Sequence, residues 1–204
     1  MSTLYVATHA EATHHVEHRV GGWYDSELTP RGREHAERMA IALRSALAPD
    51  TLVYTSDLRR TLQTAEPIAR AFATLPRSNP DLREMSCGVA EGRPSGWLEE
   101  RIVMPPREGN RLDHRICDGA ETRREVATRI YRFMHGLLEA LPPSAVIVTH
   151  GGALTYVVSA FLGVPIEALG RVRYGANAGG LTRLEFDPEW GDRKLVSLNE
   201  TAHL

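Results

Sequence analysis

Apolar residues fall along this chain in two alternating periods. Short runs of branched and aromatic side chains at residues 3–8, 52–55 and 145–149 read as strands, and residues 181–186 and 195–198 carry a weaker form of the same pattern. Between them the apolar positions recur at helical spacing. Thr29-Pro30 is an N-cap followed by proline at the first helical position, after which Ala36, Met39, Ala40, Leu43 and Leu47 share one face. Leu58, Leu62, Ala65, Ala69 and Phe72 form a second stripe, and Val126, Ile130, Phe133, Met134, Leu137 and Leu141 a third. Strands alternating with amphipathic helices predict an α/β three-layer sandwich with a mostly parallel central sheet covered on both faces. The length of 204 residues fits a single domain over residues 1–204. Residues at about 99–120 contain Pro105-Pro106 and few periodic apolar positions, which predicts a lid-like excursion over the surface.

Composition narrows the function classes. A formal charge of −2 and a pI near 6.5 give no electrostatic footprint for nucleic acid or for an anionic membrane. All the basic residues except Lys194 are arginine, a side chain suited to bidentate anion recognition. Cys87 and Cys117 have no metal-ligand spacing and make no disulfide framework, so a reducing cytoplasm is the expected setting. No signal-like N-terminus and no membrane-length apolar run is present.

The candidate chemistry sits at strand ends, where open α/β sheets collect ligands. "LYVATH" ends at His9 and "AVIVTH" at His150, the latter followed by Gly151-Gly152 and an apolar run. Two histidines are therefore expected on one rim. In "YTSDLRRTLQTAE" a strand passes into a helix start beside Arg60, a pattern that makes an anion site. "LREMSCGVAEG" adds Glu84 as a candidate proton donor beside that cationic cluster. Cys87, three residues further on, reads as a small packed side chain rather than a nucleophile, and Trp23 and Trp97 as fillers of core or loop.

With these motifs in this order, the chain resembles the histidine phosphatase superfamily, whose fold is phosphoglycerate-mutase-like. "GWYDSELTPRGREHA" is similar to the family's approach to its first helix, "TSDLRRTLQTAEPIA" to its arginine motif, and "LREMSCGVAEG" to its acid-bearing loop. "DGAET" resembles the segment before a long helix, "VIVTHGGAL" the second-histidine motif, and "NAGGLTRLEF" the start of the final strand. The resemblance implies that His9 attacks phosphorus to form a phosphohistidine and that Glu84 protonates the leaving oxygen and later deprotonates water. Arg60 and His150 would hold the phosphoryl oxygens, with Thr8, His15 and Gly151 completing the candidate phosphate-binding set. No metal and no other cofactor is implied. A homodimer is an assembly that such folds commonly take.

One departure matters. The family's first motif reads Arg-His-Gly, and this chain has Thr8-His9-Ala10. A preorganised donor to developing charge is worth about 2.7–4 kcal/mol, or roughly 10²–10³ in rate. The chain must compensate, tolerate low activity or do something else, and the candidates for compensation are His14, His15, His18 and Arg19 of the loop "EATHHVEHR". The same loop, with Glu17, is a weaker candidate for a metal site.

These readings predict a metal-independent phosphomonoester hydrolase acting on a small phosphorylated molecule, with substrate choice resting on the 99–120 excursion. The interval from Glu84 to His150 is short for the mutase members, which ranks phosphatase above mutase. Two alternatives stay open: a repurposed biosynthetic enzyme using the same residues for acid–base chemistry on a substrate without phosphate, and a non-catalytic anion-binding protein.

Overall fold

The computed structural model describes residues 1–204. Its six strands are β1 (Ser2–Thr8), β2 (Leu52–Thr55), β3 (Arg77–Ser78), β4 (Ser144–Thr149), β5 (Leu181–Asp187) and β6 (Asp192–Glu200). They lie in one sheet in the order β3-β2-β4-β1-β5-β6; the first four are parallel, β5 runs antiparallel to β1, and β6 runs antiparallel to β5. The helices are α1 (Thr13–Val16), α2 (Pro30–Ala46), α3 (Arg59–Ala71), α4 (Ser95–Glu99), α5 (Arg123–Glu139) and α6 (Ala153–Leu162).

The period of two along the central strands builds a core on each face of the sheet. Leu4 and Val6 of β1, with Ala145 and Ile147 of β4, pack against α5 and α6. Tyr5 and Ala7, with Val146 and Val148, pack against α2 and α3. The sandwich therefore has the three layers that the sequence predicts. No helix is long and apolar enough to cross a membrane.

The Thr29 hydroxyl accepts the Gly32 N–H and caps α2, a contact worth about 1 kcal/mol. Helix α3 differs from its predicted stripe: Thr61 and Thr64 are fully buried, whereas Leu62 is only half-buried. Each threonine hydroxyl donates back to its own helix, to Leu58 O and Arg60 O, and so enters the core without an unmet polar group. Strand β3 has no signal in the sequence, being two exposed residues at the sheet edge. Strand β6 is longer than residues 195–198 because it pairs with β5 across an exposed hairpin that needs little apolar patterning.

Register places the rim. Thr8 pairs with Thr149, and the His9 N–H donates to Thr149 O at 2.9 Å, so the residues that follow the two strands emerge side by side. The 99–120 stretch has almost no regular structure but is pinned at several points. Val103 N–H bonds Ile116 O, His114 Nε2 bonds the Val103 carbonyl at 2.7 Å, and Asp113 pairs with Arg124 of α5.

Candidate active site

His9 is 6% exposed, and its Nδ1–H donates to the Ala10 carbonyl at 2.8 Å. A carbonyl can only accept, so this bond fixes the tautomer and leaves the lone pair on Nε2. Burial, and then the Arg60 charge, hold the His9 pKa well below the usual histidine value, so the ring is neutral at physiological pH. A neutral imidazole with a directed Nε2 lone pair is a nucleophile.

Arg60 stands against that lone pair, with its Nε–H 3.2 Å from His9 Nε2. It is 1% exposed and has no carboxylate partner; its Nη1 and Nη2 donate to the carbonyls of Tyr24 and Gly22, each at 2.7 Å. Burial lowers its pKa to about 10, which leaves it cationic at neutral pH. A buried cation held only by carbonyls and a neutral ring is costly until an anion joins it.

His150 is fully buried, T-shaped to His9 with ring centroids 5.1 Å apart. Its Nε2 lies 3.0 Å from Ser56 Oγ, whose own lone pair receives the Leu58 N–H. Either atom of that pair can be the donor, so His150 Nδ1 carries the ring proton only where Ser56 Oγ–H donates to Nε2. That nitrogen is buried and has no partner in the protein. It is an orphaned ring nitrogen, and His150 packs behind His9 without lining the cavity. Burial, then Arg60, keeps this ring neutral as well.

Glu84 lies on the cavity wall with both carboxylate oxygens occupied, Oε1 by Met85 N–H and Oε2 by Gly152 N–H, each at 2.8 Å. A Cβ at position 152 would sit 2.4 Å from Glu84 Oε1, so the second glycine of "HGGAL" is required for the acid to lie there. The acid's backbone carbonyl is held by Trp23 Nε1–H at 2.7 Å and Arg129 Nη2–H at 2.8 Å. Trp23 is therefore a positioning residue. Trp97 stacks under Arg93 and Arg101 away from the site.

The loop after β1 brings two further histidines. His15 stacks on His9 at 5.4 Å between centroids, and His14 lies 5.9 Å from His9. The Ala12 N–H enters the His15 Nδ1 lone pair at 3.2 Å, so the neutral His15 ring carries its proton on Nε2. His14 is held by Ser26 Oγ at 2.6 Å, and burial lowers its pKa to about 3. Ligand atoms of His9, His14 and His15 all lie within 4.8 Å of one another, close enough to raise a metal centre. Hydrogen bonding favours an anion instead: Arg60 already occupies the His9 lone pair, and His15 presents N–H rather than a lone pair. Glu17 points away, paired with Arg19 at 2.9 Å, and neither Arg19 nor His18 lines the cavity.

A cavity of about 540 Å³ collects His9, His14, His15, Arg60, Glu84 and Gly151. Thr8 is not on its wall. Its hydroxyl donates to Asn177 O and accepts the Gly180 N–H at 3.0 Å, a bracket that ties β1 to the start of β5. The expectation that Thr8 binds phosphate is corrected on this ground, since its hydroxyl is consumed by backbone. Cys87 lines the cavity, but burial pushes its thiol up to about 12, which excludes a thiolate nucleophile at neutral pH. Tyr156, Arg111, Arg123 and Arg173 on the same wall gave no signal in the sequence, because only tertiary folding brings them to the rim.

The fold and this rim of histidines, arginine and acid define a phosphoryl-handling class, and the chain belongs to the histidine phosphatase superfamily (branch 1), whose family profile matches residues 4–201. It is 36% identical over 186 residues to a probable phosphoglycerate mutase GpmB of Cronobacter sakazakii, covering 85% of this chain and 80% of that one. A relative of the same description from Yersinia pestis is 32% identical and covers all of this chain and 95% of its own. Among solved structures, a mycobacterial glucosyl-3-phosphoglycerate phosphatase bound to VO3 superposes with a TM-score of 0.81 at 23% identity, covering 98% of this chain and 100% of that one. Bacillus stearothermophilus YhfR superposes with a TM-score of 0.80 at 25% identity, covering 100% and 99%.

Proposed function

We propose that this protein is a metal-independent phosphomonoester hydrolase that acts on a small organic phosphate through a phosphohistidine at His9. The reading rests most on one observation: a neutral His9, locked by Ala10 O with its lone pair on Nε2, meets a buried Arg60 that is paired with no carboxylate. An incoming phosphoryl group takes over the Arg60 Nε–H and so frees the lone pair for attack.

In the first half-reaction the His9 Nε2 lone pair forms a bond to phosphorus as the P–O ester bond breaks, and Glu84 gives its proton to the leaving oxygen. Arg60 and His15 Nε2–H are donors to the equatorial oxygens, where charge spreads in the transition state, and His150 is the third in its Nδ1–H tautomer. The Ala10 carbonyl keeps hold of Nδ1–H while the ring becomes cationic. In the second half-reaction water attacks phosphorus, Glu84 takes the water's proton, and the P–N electron pair returns to Nε2. His15 thereby takes the part of the missing first-motif arginine. The two unpaired cysteines are consistent with a cytoplasmic setting.

The test is hydrolysis of an aryl phosphate by chelator-treated protein, with His9→Ala as control. Turnover that requires His9 is expected, and turnover unchanged in His9→Ala would overturn the mechanism. The names of the relatives favour a second reading, a mutase, which would return the phosphoryl group to a hydroxyl acceptor; release of inorganic phosphate with no transfer to added acceptors separates the two.

A further inference from the structure

One side chain from α5 grips the backbone of the loop that carries Glu84. Arg129 Nη1 donates to the carbonyls of Asp81 and Arg83 at 2.8 and 2.7 Å, and Nη2 donates to the Glu84 carbonyl at 2.8 Å. Its Nε–H and the second Nη2–H meet the two carboxylate oxygens of Glu121, each at 2.9 Å. Every N–H of the guanidinium is thus engaged. Three carbonyls of the acid-bearing loop converge on it, and their dipoles would repel one another without a cation between them. A lysine there would be a point charge without the planar fork that this arrangement needs.

Glu121 extends the grip to the lid. It follows directly on the 99–120 excursion; its Oε2 also accepts the Ser86 N–H at 2.8 Å, and its own N–H donates to Ser86 O at 3.0 Å. The seam continues with Val89 N–H to Asp118 O at 3.1 Å and the Cys117 thiol to Cys87 O at 3.0 Å. Gly88, at φ +52°, permits this approach, since a Cβ there would lie 2.2 Å from Asp118 O. The side chains of Arg129 and Glu121 are 11% and 16% exposed, so removing either charge leaves the other poorly solvated. The pair is neutral overall, and it holds the acid's loop without adding a net cation beside the carboxyl.

We infer that Arg129 and Glu121 are positioning residues for proton donation by Glu84, and that they make its placement depend on the docked base of the lid. This rests on the reading of Glu84 as the general acid of a phosphatase, and it gives the excursion a second task besides substrate choice. Both residues act through Glu84.

The acidity of the leaving group separates this role from a merely structural one. Phenolate needs a proton as it departs, whereas 2,4-dinitrophenolate leaves without one, so a displaced acid harms only the first. The quantity measured is kcat/KM on phenyl phosphate and on 2,4-dinitrophenyl phosphate. It reports the steps up to loss of the leaving group and not the hydrolysis of phosphohistidine that both esters share. Arg129→Lys and the near-isosteric Glu121→Gln are each expected to lower it by about tenfold or more on phenyl phosphate and by less than about threefold on the dinitrophenyl ester. Glu84→Gln is expected to show the same selectivity with a larger loss. Circular dichroism reports the fold, and Glu121→Gln carries the test where Arg129→Lys does not fold. An equal loss on both esters, or an unchanged kcat/KM on phenyl phosphate, in either folded variant would overturn the inference. Equal losses in Glu84→Gln would instead remove Glu84 as the acid, and no His9-dependent turnover of either ester would sink the phosphatase reading, each taking the inference with it.

Discussion

Thr8 shows how one residue re-partitions a site. Where the family's first motif carries an arginine, the Thr8 hydroxyl braces Asn177 and Gly180, and the proposed mechanism gives the work on the phosphoryl group to the loop that follows. His15→Ala is therefore expected to lower kcat/KM for an aryl phosphate by roughly 10²–10³, the usual effect of removing one preorganised donor. A loss of less than threefold would remove His15 from that role. The tautomers assigned by hydrogen bonding are open to nitrogen-15 NMR of the imidazoles. His9 is expected as the Nδ1–H form and His15 as the Nε2–H form. Because burial and Arg60 depress the His9 pKa, its neutral form persists as pH falls through 6.5, so its titration midpoint is expected well below that value. A His9 midpoint at 6.5 or above would contradict the site as described.

At the scale of elements, the approach of α6 to the Glu84 loop depends on a glycine. Gly152 stands at the N-cap of α6, and its N–H holds Glu84 Oε2. Gly152→Ala would place a methyl 2.4 Å from Glu84 Oε1 and force the acid aside. The expected outcome is a fall in kcat of more than about tenfold, in the range of a lost general acid, while the circular dichroism spectrum is retained. Wild-type kcat in this variant would show that Glu84 need not sit where the structure puts it. The elements themselves were largely legible: the three central strands, α2 and α5 follow from period and capping. The threonine-rich buried face of α3 was not, because its burial depends on hydroxyls bonding back to their own helix, which no hydropathy pattern records.

The whole molecule folds around uncharged histidines, and its stability should register this. His9, His14 and His150 are buried with lowered pKa values, that of His14 to about 3. The unfolded chain binds protons near 6.5 and the folded chain resists them, so stability is complete above 6.5 and falls as pH drops from there toward about 3. Each such histidine contributes a slope of up to ~1.4 kcal/mol per pH unit. Denaturant unfolding at pH 7.5 and 5.5 is expected to show the lower value at pH 5.5; equal stability would mean that these rings titrate in the folded chain as they do in the unfolded one. At this scale the motif order His9, Arg60, Glu84, His150 was readable along the chain, because strand ends and helix starts announce themselves locally. The basic wall of Arg111, Arg123 and Arg173 was not, since those residues lie on an irregular excursion, a helix start and a loop that only the tertiary fold unites.

The most direct test of the account is to capture the covalent intermediate. Chelator-treated protein is mixed with a radiolabelled phosphomonoester, quenched in alkali and mapped by mass spectrometry. The account predicts an acid-labile, alkali-stable phosphoryl group on His9 that is absent from His9→Ala. Turnover that releases phosphate while leaving His9 unlabelled at every quench time, or a label carried by another residue, would contradict it.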